Sequence, residues 1–306
     1  MKIRQIFFLL MLSSVCSTHD SVLYAMDPDD HHVSDKSGKI FFSSLLFSTS
    51  VQALLEAKGN SSAGNMLDAT TLILTISCGD IDDLMQLIMA RADLNAQDEN
   101  FGLTALIAAT ELCSIEKCQC LIAARARLDI QDVRGDTALI VAAVLGDKKM
   151  VKNLIEARAD LNIHNKKGRT ALFYALDSGR GDLAKLLLDA KADPQMHDET
   201  GLTTLMVSMF ECNIHTVRHI IDAIHYYDAA RDAFLFKVWP SAPLEICHLI
   251  GTFDSFLDVQ DSSGRTAIML ARKLHRTDVI QLLVAAGADT SSQKGDDITT
   301  IESRKL

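Results

Sequence analysis

Residues 132–164 read DVRGDTALIVAAVLGDKKMVKNLIEARADLNIH, and this stretch decides the fold. Gly135 suits a turn with positive φ, and Thr137 can cap the helix that follows it. Ala142 and Ala143 are small enough for close helix packing, and Gly146 suits a helix end. Val151, Leu154 and Ile155 then recur at helical spacing as one apolar stripe. The stretch is therefore helix, tight turn, helix and an extended finger.

The same string recurs along the chain. Gly102, Gly135, Gly168 and Gly201 each open a G-x-T-[AT]-L run and lie 33 residues apart, and Gly264 opens a fifth run 63 residues later. Arg91-Ala92-Asp93, Arg158-Ala159-Asp160, Lys191-Ala192-Asp193 and Gly287-Ala288-Asp289 close their units in the same phase. A single unit of this kind cannot bury its apolar face alone, so the units must stack.

Residues 132–164 resemble the ankyrin repeat family, and the resemblance extends over about 66–291. It implies an all-α solenoid of helix-turn-helix units with short β-hairpin fingers. Val51, Leu54 and Leu55 repeat the Val151, Leu154, Ile155 spacing, so 36–65 reads as a divergent N-terminal cap with helices near 38–46 and 49–58. Regular repeats then fill 66–225. Residues 226–260 read as a degenerate repeat interrupted by Pro240 and Pro243, 261–291 as the last repeat, and 292–306 as a polar tail. The count is about eight units.

Composition agrees with thin helical layers. Apolar residues make 48% of the chain and aromatics only 6%, so the core is aliphatic. The net charge of −10 argues against a nucleic-acid binder, whose phosphate contacts need clustered cations. Lys2 and Arg4 precede an apolar run over 6–15, the pattern of a secretory signal and too short for a membrane span. Cleavage after Ser17 or after Ala25 fits. Residues 1–25 are thus expected to be the signal and the start of a leader, 26–35 a flexible leader, and the protein exported, to a periplasm, a medium or a host cell. No stable span is expected once the signal is removed.

Departures from the family pattern mark individual positions. Arg91, Arg125, Arg158 and Lys191 stand where the family has Gly before Ala-Asp. Left-handed caps held by cations at helix C-termini explain them better than a basic binding ladder. The resemblance implies partner contacts on fingers and first helices. By position these are Phe101, Leu103, Glu111, Leu112, Val133, Arg134, Asp136, Val144, Leu145, Lys166, Lys167, Arg169, Asp177, Glu199, Leu202, Phe210 and Glu211. A second patch is Tyr226, Tyr227 and Trp239, in an aromatic stretch with Phe234 and Phe236 that either fills the broken repeat or anchors a partner.

Catalytic chemistry is hard to find. The chain has seven cysteines, with none obviously paired: Cys118 and Cys120 diverge on one helix, and Cys78 and Cys113 fall in adjacent units. Free thiols suit a reducing compartment. His215 and His219 sit at i, i+4 without a third metal ligand. No phosphate loop, nucleophile elbow or zinc motif is present. The expectation is a monomeric, non-catalytic scaffold without cofactor or metal that binds a protein. It is either an exported effector or a periplasmic protein supporting an envelope enzyme. An enzyme hidden in 226–260 is the minor alternative.

Overall fold

The computed structural model describes residues 69–211, 213–238 and 256–290, without the side chains of 211 and 230–238. All belong to the compact unit Leu45–Leu306. The signal, leader, N-terminal cap, Trp239, Cys212 and polar tail lie outside the described residues.

Twelve helices form six layers among the described residues. Layer one is α1 (Ala69–Cys78) and α2 (Ile81–Met89), and layer two is α3 (Ala105–Glu111) and α4 (Ile115–Ala123). Layer three is α5 (Ala138–Leu145) and α6 (Lys148–Glu156), and layer four is α7 (Ala171–Asp177) and α8 (Gly181–Asp189). Layer five is α9 (Thr204–Glu211) and α10 (Ile214–Val238), and layer six is α11 (Ala267–Lys273) and α12 (Thr277–Ala285). Each first helix packs on the first helices of its neighbours. That sandwich explains their composition: Ala138 to Ala143 of α5 are all buried, whereas α6 buries only the stripe Met150, Val151, Leu154.

Local chemistry fixes the helix ends. The hydroxyls of Thr104, Thr137, Thr170 and Thr203 accept from the backbone N–H three residues on, at 3.2–3.3 Å. Second helices end in left-handed residues: Arg91, Arg125, Arg158 and Lys191 have φ of 56°, 62°, 66° and 72°. The following alanines complete the cap, as when Ala159 N–H donates to Leu154 O at 3.0 Å. These cations are caps, as their position suggested. Among the described residues, Asp93, Asp160 and Asp193 form no ion pair with these cations; they accept from backbone N–H groups two residues on.

The fingers are tight hairpin turns, with one isolated antiparallel bridge, His197–Thr203, among the described residues. Each finger docks on the previous one: Val133, Lys166, Glu199 and Ser262 N–H donate to the carbonyls of Phe101, Arg134, Lys167 and Thr200 at 2.9–3.0 Å. Gly135 has φ +82°, and a Cβ there would meet Lys166 N at 2.8 Å. The turn and the next finger both require glycine.

The Ser262–Thr200 bond corrects the count of eight. Layers five and six touch directly through α9 with α11 and α10 with α12, so 226–260 is not a layer between them. Leu257-Asp258-Val259-Gln260-Asp261 repeats Leu128-Asp129-Ile130-Gln131-Asp132. Asp258 Oδ1 accepts from Asp289 N–H at 2.8 Å just as Asp129 Oδ1 accepts from Asp160 N–H at 3.0 Å. The 63-residue interval is therefore one 33-residue unit with about 30 extra residues, part of which lengthen its second helix. Accordingly α10 runs for 25 residues, where α4, α6, α8 and α12 have nine.

Three cations reach first-helix-end carbonyls across alternate layer boundaries. Lys117 Nζ of layer two donates to Ile76 O and Gly79 O at the end of α1, at 2.6 and 2.8 Å. Arg180 Nη1 of layer four donates to Ala143 O and Val144 O at the end of α5, both at 2.9 Å. Arg276 Nη1 of layer six donates to Met209 O of α9 at 3.2 Å. In layers three and five, the place of Arg180 and Arg276 is taken by Asp147 and Asn213, which cap their own second helices.

Candidate functional site

The face formed by fingertips and first-helix ends is built from the 33-residue phase. The C-terminal turn of each first helix cannot be covered by its neighbours as fully as the middle, so its last residues surface. Val144 is 45% exposed, Leu145 44% and Phe210 37%. On the fingertips, Phe101 is 39% exposed and Val133 47%. Large apolar groups exposed on one face, rimmed by charge, mark an interaction surface.

The structure revises the expected membership. Leu103 is buried at 2% exposure, because its place at the finger base points into the core. Asp136 is also buried, accepting from Asn165 Nδ2 at 2.8 Å. Both leave the surface. Glu111, Leu112, Arg169 and Leu202 are half-buried, whereas Arg134, Lys166, Lys167, Asp177 and Glu199 are exposed. Glu211 ends α9, and its side chain lies outside the described residues. Leu274, 37% exposed, belongs to the same row as Leu112 and Leu145. The phase carried through to Gly264 would have found it.

Most of the arginines here are held internally. The Arg134 guanidinium reaches Asp132 at 3.0 Å and Glu111 and Asp136 at 3.4 Å. Arg169 pairs with Asp198 at 3.2 Å and lies 4.8 Å from the Phe173 ring centre, while its buried Nε has no acceptor. Arg265 pairs with Asp261. Burial raises the Asp198 carboxyl, but hydrogen bonds from Thr200, Leu202 and Arg169 outweigh it and leave the group below its ordinary range. Burial pushes Glu111 up, with Arg134 opposing.

The second patch divides. Tyr227 donates its hydroxyl to Lys191 O at 2.6 Å, and Gln195 Nε2 donates to Asp228 Oδ1 at 2.6 Å. Lys191 Nζ stands 4.3 Å from the Tyr226 ring centre, and Tyr226 stays 57% exposed. These contacts fasten the base of the extended helix to the finger of layer four.

Chemical groups elsewhere are dispersed. Among the described residues, no group of three or more His, Cys, Asp or Glu could hold a metal, and His215 and His219 are exposed. Cys78, Cys113, Cys118 and Cys120 are free thiols. Burial pushes Cys118 up to about 11, which makes it a poor nucleophile. No described helix is long and apolar enough to cross a membrane. A groove of about 530 Å³ lies between α10 and α12, on the face opposite the first helices, floored by Ile221 and Leu282.

Comparison with known proteins agrees with this geometry. Models of ankyrin repeats match residues 72–165, 145–230 and 263–294. A solved ankyrin repeat domain from Acinetobacter baumannii AYE is similar over 72% of this chain and 100% of its own, at 24% identity and TM-score 0.56. A chain of a Bdellovibrio bacteriovorus complex, between a predatory endopeptidase and an immunity protein, is similar at 19% identity and TM-score 0.51. That match covers 71% of this chain and 98% of the other. No curated protein matches the sequence.

Proposed function

The chain belongs to the ankyrin repeat family, and from that premise we propose that it is a non-catalytic scaffold that grips a protein partner on its finger and first-helix face. The observation that carries this reading is the exposure of Phe101, Val133, Val144, Leu145 and Phe210 on the finger and first-helix face, among charged neighbours. The protein acts as a monomer, and the apolar run at 6–15 behind Lys2 and Arg4 sends it out of the cell. An exported bacterial effector acting on host proteins fits both features.

A second reading is a periplasmic protein that supports or restrains an envelope enzyme. The likeness to a chain of the endopeptidase–immunity protein complex motivates it. One experiment tests the shared premise. The tagged chain is crosslinked in its own cells and in host extract, and partners are identified by mass spectrometry. Val144→Asp with Leu145→Asp should abolish partner recovery from a folded protein. Unchanged recovery would remove the assigned face.

A further inference from the structure

The cations of this face differ in how far their charge is already used. Arg134, Arg169 and Arg265 each lie against carboxylates of their own or the next finger. Lys166 and Lys167, at the tip of one finger, are exposed, and among the described residues neither forms an ion pair through its ammonium group. Their backbone is fixed, with Lys166 N–H on Arg134 O at 3.0 Å and Lys167 N–H on Asn165 Oδ1 at 3.0 Å. Two ammonium groups are therefore carried on a rigid turn. One layer away lie Val133, Val144 and Leu145, all nearly half exposed.

We infer that the partner presents an acidic, apolar segment: carboxylates against Lys166 and Lys167, and a large apolar side chain on the Val133, Val144, Leu145 patch. This rests on the scaffold reading above and names the chemistry of its partner. Neighbouring helices pack about 8–10 Å apart. An extended chain advances roughly 3.3 Å per residue, so the apolar and acidic side chains stand about three residues apart. A nucleic acid is the less favoured occupant. Its run of phosphates needs many clustered cations, of which this finger supplies two, and the apolar patch offers phosphates nothing. Opposite charges on the rim speed encounter and fix register more than they add affinity, while the apolar anchor supplies most of the binding energy.

Selection from a random 16-residue peptide display library, with the full chain as bait, tests this. The expected winners carry Asp or Glu about three residues from Leu, Phe, Ile or Met. A labelled winner, followed by fluorescence anisotropy, should bind at least tenfold more weakly to Lys166→Glu with Lys167→Glu. It should also weaken as salt rises, and bind equally to Lys152→Glu on α6. Leu145→Asp should weaken it similarly. Winners that lose binding with Leu145→Asp but ignore the Lys166, Lys167 reversal would overturn the acidic partner and leave the scaffold face standing. Winners indifferent to both changes would overturn both readings. Enrichment of Lys and Arg, tighter binding of a labelled DNA or RNA oligonucleotide than of any peptide, or no winner at all would overturn the inference. Circular dichroism of each variant checks that it remains folded.

Discussion

Unit 135–167 and unit 201–263 share the same turn, capping threonine and finger, yet one spans 33 residues and the other 63. In the shorter unit, nine residues of α6 lead straight into the left-handed Arg158 and the next finger. In the longer unit, α10 continues for 25 residues and the chain resumes its phase at Leu257. Finger docking is identical at both ends of the interruption, because Ser262 bonds Thr200 as Lys166 bonds Arg134. The stack therefore depends on which elements meet, and tolerates extra chain where a second helix meets solvent. Loop-closure cost grows only slowly with length, so a detour of this size is cheap.

The comparison breaks most visibly at its glycines. Gly135 and Gly264 have similar positive φ, 82° and 72°. A Cβ on Gly135 meets the backbone of the next finger at 2.8 Å, but on Gly264, among the described residues, it finds only Gln260 Oε1 at 3.9 Å. Gly135→Ala should therefore cost about 2–4 kcal/mol in urea unfolding, adding overpacking to left-handed strain. Gly264→Ala should cost only about 1 kcal/mol. Equal costs would show that finger docking contributes nothing at Gly135.

The next effect concerns the layer joints. Arg180→Met should lose about 1–2 kcal/mol, since two carbonyls of α5 lose a charged donor. Arg180→Asn should lose less, because it gains the helix cap that Asn213 supplies in layer five. The two variants can be compared in one denaturant series.

Excision sharpens the comparison further. Removing 226–255, with His225→Ala restoring the small residue found at Ala126 and Ala159, should leave a cooperative, helical protein. Its unfolding midpoint should stay near that of the parent, and its far-ultraviolet signal should fall by no more than the deleted helix. Failure to fold would mean that the extension, fastened by Tyr227 and Gln195, is integral to layer five.

The smallest effect is electrostatic. Burial raises the Glu111 carboxyl in the folded state, with Arg134 opposing. The folded form therefore holds that proton more tightly than the unfolded one. Its stabilising effect is complete below the unfolded value and is lost as pH rises through the folded value. Glu111→Gln should gain at most about 0.5 kcal/mol at pH 7, and nothing near pH 4.

Much of this was legible in the sequence, for reasons that can be named. Gly135, Thr137 and Ala142 each have one local duty, and a duty repeated in phase is readable. The cationic caps were legible because Arg158 and Lys191 occupy a glycine position. The interruption was not, because helical character runs on past Tyr226, Pro240 and Pro243 resemble a boundary between repeats, and the phase returns only at Leu257-Asp258-Val259-Gln260-Asp261. At the face itself, position predicted Val144 and Leu145 but misplaced Leu103 and Asp136. Their burial depends on the core beneath the finger and on Asn165 of the next one, which spacing alone does not reveal.

The alternating joints give the stack a mechanical grain. Lys117, Arg180 and Arg276 tie layer one to two, three to four and five to six through carbonyls at first-helix ends, whereas the finger arginines Arg134 and Arg169 join two to three and four to five through Glu111 and Asp198. Strain along the axis therefore meets carbonyl anchors at one boundary and carboxylate pairs at the next. The Lys166–Lys167 finger lies at a carbonyl-anchored boundary, that of layers three and four, so the proposed grip would be made where Arg180 holds the pair together.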